Sequence, residues 1–208
     1  VTNIGKYAFA ASGITSVSFG QKFVYESETR YDEDNKEIFI ERIGIGDYAF
    51  YGCTGLTEVV LPSTLTEIGQ YAFQNTGITA ITLPESLTTI GKGAFQDSAL
   101  KTITLPAGII AIGNDAFRAS ALESVVIDFD MVANESVNSS GVTTYSANSK
   151  IGSAIFADCD KLASVTFNGQ FNWVQNSMFL NDTALTQFTF PEEMKRIDEL
   201  VNSESTQE

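Results

Sequence analysis

The chain has 208 residues, of which 43% are apolar, and carries 26 acidic against 12 basic residues for a formal charge of −14. That apolar fraction excludes a disordered chain, and the acidic excess disfavours nucleic acid and anionic membranes as partners, leaving a neutral or cationic protein as the better fit. Histidine, the commonest general base, is absent, and no run of 18 apolar residues provides a membrane-spanning helix.

In chain order, Val1–Gly5 matches the second half of a unit found complete later at Leu65–Gly69, so the chain starts in mid-repeat. Further sequence, with any targeting signal, is expected before Val1. A phenylalanine, preceded by Ala in the first five copies, then recurs as Phe9, Phe50, Phe73, Phe95, Phe117, Phe156 and Phe179, at steps of 41, 23, 22, 22, 39 and 23 residues. The apolar residue five positions earlier keeps the same steps, through Ile4, Ile45, Ile68, Ile90, Ile112, Ile151 and Val174. Two columns therefore agree on about seven repeats of 22–23 residues in a single domain, 1–208, with the seven phenylalanines as its core. The two long steps mark insertions, at 20–42 and 128–150.

Five or six residues after each Phe comes a short stretch whose last four residues alternate apolar and variable, as in Ile78–Leu83 and Leu100–Leu105. Such alternation predicts strands stacking into one parallel sheet, with variable positions such as Glu58, Val60, Thr82 and Thr104 facing solvent. All four prolines follow a strand, where a missing donor ends a ladder, and the glycine after the Ile is expected to turn a corner with positive φ.

The first insertion carries FVYESETRY and KEIFIER around the tip Asp32-Glu33-Asp34-Asn35, the pattern of a β-hairpin projecting from the solenoid edge. Two roles stay open for it: a recognition knob presenting Tyr31, Asp32 and Asp34, or a solvated cover for the sheet edge. The tip lacks the glycine and the final glutamate of an EF-hand, so that site is excluded and only an adventitious cation site is left open. No metal is assigned.

Cys53 and Cys159 occupy the small-residue position three after the Phe, held elsewhere by Ser12, Thr76, Ser98 and Ser120. Four repeats at roughly 4.8 Å place them about 19 Å apart. That is too far for a disulfide, so both are expected as buried free thiols. The second insertion, rich in Ser, Asn and Thr, is expected as an exposed loose hairpin or loop holding Tyr145. Beyond it, Phe171 takes the core slot of Leu65, which sets Trp173 in the slot of Glu67 and Thr89, expected to face outward. As an exposed Trp it is a candidate hot spot; the alternative is packing beneath the second insertion. A partial repeat or helical cap is expected over 191–202, then an acidic tail over 203–208.

The I-G-x-x-A-F phrase, the small residue after it and the strand closing on L-P, as at Ile68–Pro84 and Ile90–Pro106, resemble the BspA-like, or treponemal-type, leucine-rich repeat family. The resemblance implies an α/β-type leucine-rich repeat solenoid, with a parallel sheet on one face and short helical or irregular turns on the other. It also implies a secreted or cell-surface location and adhesion to a host, matrix or microbial protein. Gly20, Asp128 and Asn168 depart from the pattern by replacing the proline. The leading expectation is a monomeric, non-enzymatic protein-binding module without a cofactor; a structural spacer and a carboxylate-based glycan hydrolase are the alternatives.

Overall fold

A computed structural model describes residues 4–19, 26–31, 37–42, 44–137, 143–147 and 150–189, with the side chains of 26–31, 37–42, 133–136 and 143–147 left aside. The expected cap at 191–202, the tail, Asp32 and Asp34 lie outside these residues. Each unit makes one turn of a solenoid and meets its neighbours along three hydrogen-bonded seams rather than the single sheet that the alternation predicts.

The first seam is the predicted one. Ser16–Ser18 pairs in parallel with Glu58–Val60, and Thr102–Leu105 pairs with Ser124–Ile127, which pairs with Ser164–Phe167. The second consists of two-residue strands, Gly44–Ile45, Glu67–Ile68, Thr89–Ile90, Ala111–Ile112 and Lys150–Ile151, joined in parallel in that order. Their isoleucines are the apolar column five residues before the Phe. A two-residue strand carries no alternation to detect, so only the tertiary pairing reveals it.

The third seam lies where helical or irregular turns were expected, and the irregular form is realised: among the described residues there is no helix. In the Gly46–Cys53 arch, Ala49, Tyr51 and Cys53 donate their amides three residues back, to Gly46, Tyr48 and Phe50. The intervening amides of Tyr48, Phe50 and Gly52 donate to Gln70, Ala72 and Gln74 of the next unit at 2.8–2.9 Å. Every amide from Tyr48 to Cys53 is thereby used. This requires left-handed backbone two residues before and two after each Phe, seen at Tyr48 and Gly52, Tyr71 and Asn75, Gly93 and Asp97, and Asp115 and Ala119. Most of these residues are not glycine, and each costs roughly 1–2 kcal/mol, which the inter-unit bonds offset.

The glycine after the Ile does not serve as expected: positive φ is confined to Gly52 and Gly93 among the described glycines. Its role is close approach. A Cβ at Gly69 would stand 2.7 Å from the backbone of Ile45–Asp47, and one at Gly91 would stand 2.6 Å from Gln70 N. Only hydrogen fits between successive backbones there.

Inside the coil the phenyl rings stack nearly parallel, 5.3–5.7 Å between centroids, from Phe9 to Phe179. The inner five, Phe50, Phe73, Phe95, Phe117 and Phe156, are fully buried, while Phe9 and Phe179 are the partly exposed end rungs. Offset stacking between rings adds to the burial of each. Replacing Phe95 with Ala is expected to cost about 3–5 kcal/mol, and Gly91→Ala to lower the melting temperature by forcing Gln70 away, both measured by thermal or denaturant unfolding.

Candidate functional site

The solvent face of the first seam is shaped by the alternate residues of its strands. Strand alternation sends Val59, Leu83 and Ile103 inward and turns Glu58, Val60, Ala80, Thr82, Thr102 and Thr104 outward, Val60 being 52% exposed. Along it runs an open groove of about 900 Å³ that crosses the strands of four units, from Glu58 to Val126. Thr82, Thr102, Thr104 and Ser124 share its lining with Val60, Ala80 and Val126, so the lining is more apolar than polar, with Glu58 and Glu85 among the lining residues and Pro84 and Pro106 at the strand ends. Lys101 and Glu123 face each other on adjacent strands at 3.8 Å, too exposed to contribute much stability.

The groove coincides with a break in the seam. Thr57 donates its amide to Thr15, Lys101 to Thr79 and Glu123 to Lys101, each near 3 Å. Among the described residues no such bond links Thr79 to Thr57, and the only pairing of residues 79–83 is a bridge from Ala80 to Thr102. The other two seams stay closed between these same units, where Ile45 pairs with Ile68 and Phe50 stacks on Phe73 at 5.3 Å. Main-chain groups of 57–61 and 79–83 therefore line an opening in an otherwise bonded surface.

Both insertions leave the coil at the same stage of the repeat, after a first-seam strand and before a second-seam strand. The first forms an antiparallel hairpin, Glu26–Tyr31 against Glu37–Arg42, with Tyr31 opposite Glu37 as the last pair before the undescribed tip. The second pairs Ala133–Val137 with Thr143–Ala147, setting Tyr145 opposite Glu135. The second excursion is shorter than 128–150. Met131 bridges Phe171 in the core slot of Leu65, and Asp130 accepts the Gln170 amide at 2.7 Å, so 128–132 continue the regular coil. The roots of the hairpins are four units apart, about 21 Å at the 5.3–5.4 Å step of the phenyl stack, and the groove lies between them.

Trp173 is 3% exposed, which corrects the expectation that its slot faces outward. The equivalent residues Glu67, Thr89 and Ala111 are half-buried. What distinguishes the sixth unit is the hairpin rising from the unit before it. Trp173 joins the core with Phe129, Met131 and Phe171, and its indole Nε1 meets no acceptor among the described residues.

The cysteines are free and buried, as expected from their spacing. Cys53 Sγ donates to Phe9 O at 2.9 Å, and Cys159 Sγ to Phe117 O at 3.2 Å. Burial, foremost, pushes the Cys159 thiol up to about 11, so it is a protonated donor rather than a nucleophile.

Two features carry no signal in hydrophobic spacing alone. Tyr7, Tyr48 and Tyr71 stack at 4.7 and 5.0 Å along the arch, with Lys6 Nζ 5.3 Å from the first ring. Their recurrence two residues before the Phe was readable in the sequence; their stacking requires the left-handed backbone that aligns them. Asp182 is a carboxyl in the small-residue column, where it is buried.

Among the described residues no group of three or more acidic or cysteine side chains is placed to hold a metal, and no helix is long and apolar enough to cross a membrane. A model of the BspA-type leucine-rich repeat region matches residues 34–134 and 129–207, in six copies. The chain belongs to the BspA-type leucine-rich repeat family. A leucine-rich repeat protein from Bacteroides ovatus is 27% identical with a TM-score of 0.61, over 90% of this chain and 42% of that one. This BspA-type array thus spans less than half of that protein's length. The T. pallidum leucine-rich repeat protein shares the fold at 23% identity and a TM-score of 0.61, over 89% of this chain and 72% of its own. No curated protein matches the chain.

Trp173 is the sole tryptophan, so its burial is directly measurable. Its fluorescence is expected to be blue-shifted and shielded from iodide in the native array, and both thiols to resist maleimide until denaturant unfolds the chain. Prompt iodide quenching would contradict the burial described.

Proposed function

We propose that this array is a non-enzymatic protein-binding module of a secreted or cell-surface protein. Its contact surface is the groove over the first seam, flanked by the two hairpins. The carrying observation is the coincidence of groove, opened seam and flanking hairpins on one stretch of an otherwise uniform coil. A lining that mixes small Thr, Ser, Ala and Val side chains admits a main chain at close range, and the main-chain groups at 57–61 and 79–83 supply donors and acceptors for it.

The partner is an extended, neutral or cationic protein segment. Glu58, Glu85 and the overall charge of −14 favour cationic residues on it and speed its approach. Tyr31, Asp32, Asp34 and Tyr145 are the hairpin residues proposed to add contacts at either end. Trp173 supports the second hairpin from within instead of touching the partner. Adhesion to host or matrix proteins follows the family resemblance and fits a rigid face displayed by a longer protein.

The test is capture of proteins from an extracellular-matrix or host-surface extract by the intact array and two folded variants. Val60→Arg with Thr104→Arg places two cations in the groove at exposed positions, and removal of 133–149 restores a 22-residue step. Retention of the captured protein is expected to fall about tenfold or more with the arginines and by less with the deletion. Equal retention by all three would favour a spacer that displays another domain.

A further inference from the structure

The residue three after the Phe serves the carbonyl of its own Phe in every unit but the sixth, through the Thr76 hydroxyl in the third and through its amide in the others. Cys53 thus returns its amide to Phe50, Ser98 to Phe95 and Ser120 to Phe117. Where its side chain is a thiol, the proton reaches the Phe carbonyl of the preceding unit: Cys53 to Phe9 and Cys159 to Phe117.

The contact between the sixth and seventh units breaks this rule. The Cys159 amide donates instead to Asp182 Oδ1 at 2.8 Å. No hydrogen bond of the described residues ends on the Phe156 carbonyl, although Phe156 is fully buried. Asp182 Oδ2 is buried and likewise has no partner. Asp182 holds the thiols' position one unit further on, so the carbonyl its side chain would meet by the same rule is that of Phe156. Two buried acceptors at this inter-unit contact are thus left without a donor, and a proton on Oδ2, directed as the thiols direct theirs, would satisfy both.

We propose that Asp182 is a proton-dependent latch: its carboxyl is protonated in the folded array, Oδ2–H donates to the Phe156 carbonyl while Oδ1 accepts the Cys159 amide, and deprotonation loosens the last rung. The surroundings favour the neutral form. Burial, the largest influence, raises this carboxyl to about 7, the Cys159 amide opposes the rise, and Asp158 and Asp160 add to it. Of the charged groups nearby, Asp158 is already tied to Arg118 at 2.8 Å, and the Cys159 thiol is neutral. No cation among the described residues is paired with Asp182.

The direction of the pH effect follows. The folded carboxyl keeps its proton to about pH 7, whereas an unfolded aspartate releases it near 3.8. The folded state therefore binds more protons between these values, and stability falls as pH rises through that window and levels off on either side. What opens is the rung in which Phe156 and Asp158 donate to Met178 and Leu180, and in which Phe179 stacks on Phe156 at 5.7 Å.

Asp182→Asn keeps the shape and supplies a permanent donor toward Phe156. The melting temperature of D182N relative to the intact chain should rise by about 5–10 °C between pH 5 and pH 8. A variant that shifts equally at both pH values overturns the latch. Carbon-13 NMR of the Asp182 carboxyl in the intact parent chain decides even if the variant fails to fold. A midpoint near 7 supports the latch, and one below about 5 refutes it.

Discussion

The structure depends on holding successive turns one backbone apart on every side of the coil at once. The phenyl stack sets this distance inside, and amide-to-carbonyl bonds enforce it along the three seams. The arch is the demanding part. The arch reverses direction in eight residues while sending alternate amides to the next unit and the others three residues back, and strained left-handed residues recur on both sides of the Phe. The glycine after each Ile follows from the same constraint, since a larger side chain there would push the turns apart, whereas the buried residue before the Phe varies from Ala in the middle units to Ile155 and Met178.

A scaffold bonded this way is uniform, and uniformity leaves little for recognition. The surface changes only where a unit departs from the rule. The seam between 57–61 and 79–83 lacks its bonds while the two other seams remain closed, so the register of the coil is kept across it. Neighbouring side chains give no reason for the opening at this unit rather than the next. The hairpins are inserted at a point where one strand has ended and the next has not begun, so neither interrupts a seam.

The column three residues after the Phe shows how narrow the tolerance is inside the coil. Ser, Thr and Cys fit because each is small and, Ser98 apart, brings its own proton to a buried carbonyl or an adjacent hydroxyl or thiol. Aspartate matches their size but carries such a proton only while its carboxyl is neutral, and the Cys159 amide turns to its second oxygen. The same economy explains the free thiols: they substitute for hydroxyls in place, with no bridging role.

Much of this was legible in the residues. The repeat count, the Phe core, the first seam, the hairpin nature of 20–42 and the unpaired cysteines follow from spacing, because a solenoid repeats each contact at the period of the sequence. The second seam was hidden because two residues have no periodicity, and the arch because positive φ on Tyr, Asp or Ala violates the local preference that sequence reading relies on. Trp173 was misplaced for a different reason: its slot is set by its own unit, but its burial goes with a segment inserted one unit earlier. By itself the sequence determined the coil, because each unit needs only a copy of itself as neighbour. Tertiary structure alone decided the opened seam, the position of the groove between the hairpins and the proton shared at Asp182, because these depend on how two unlike units meet.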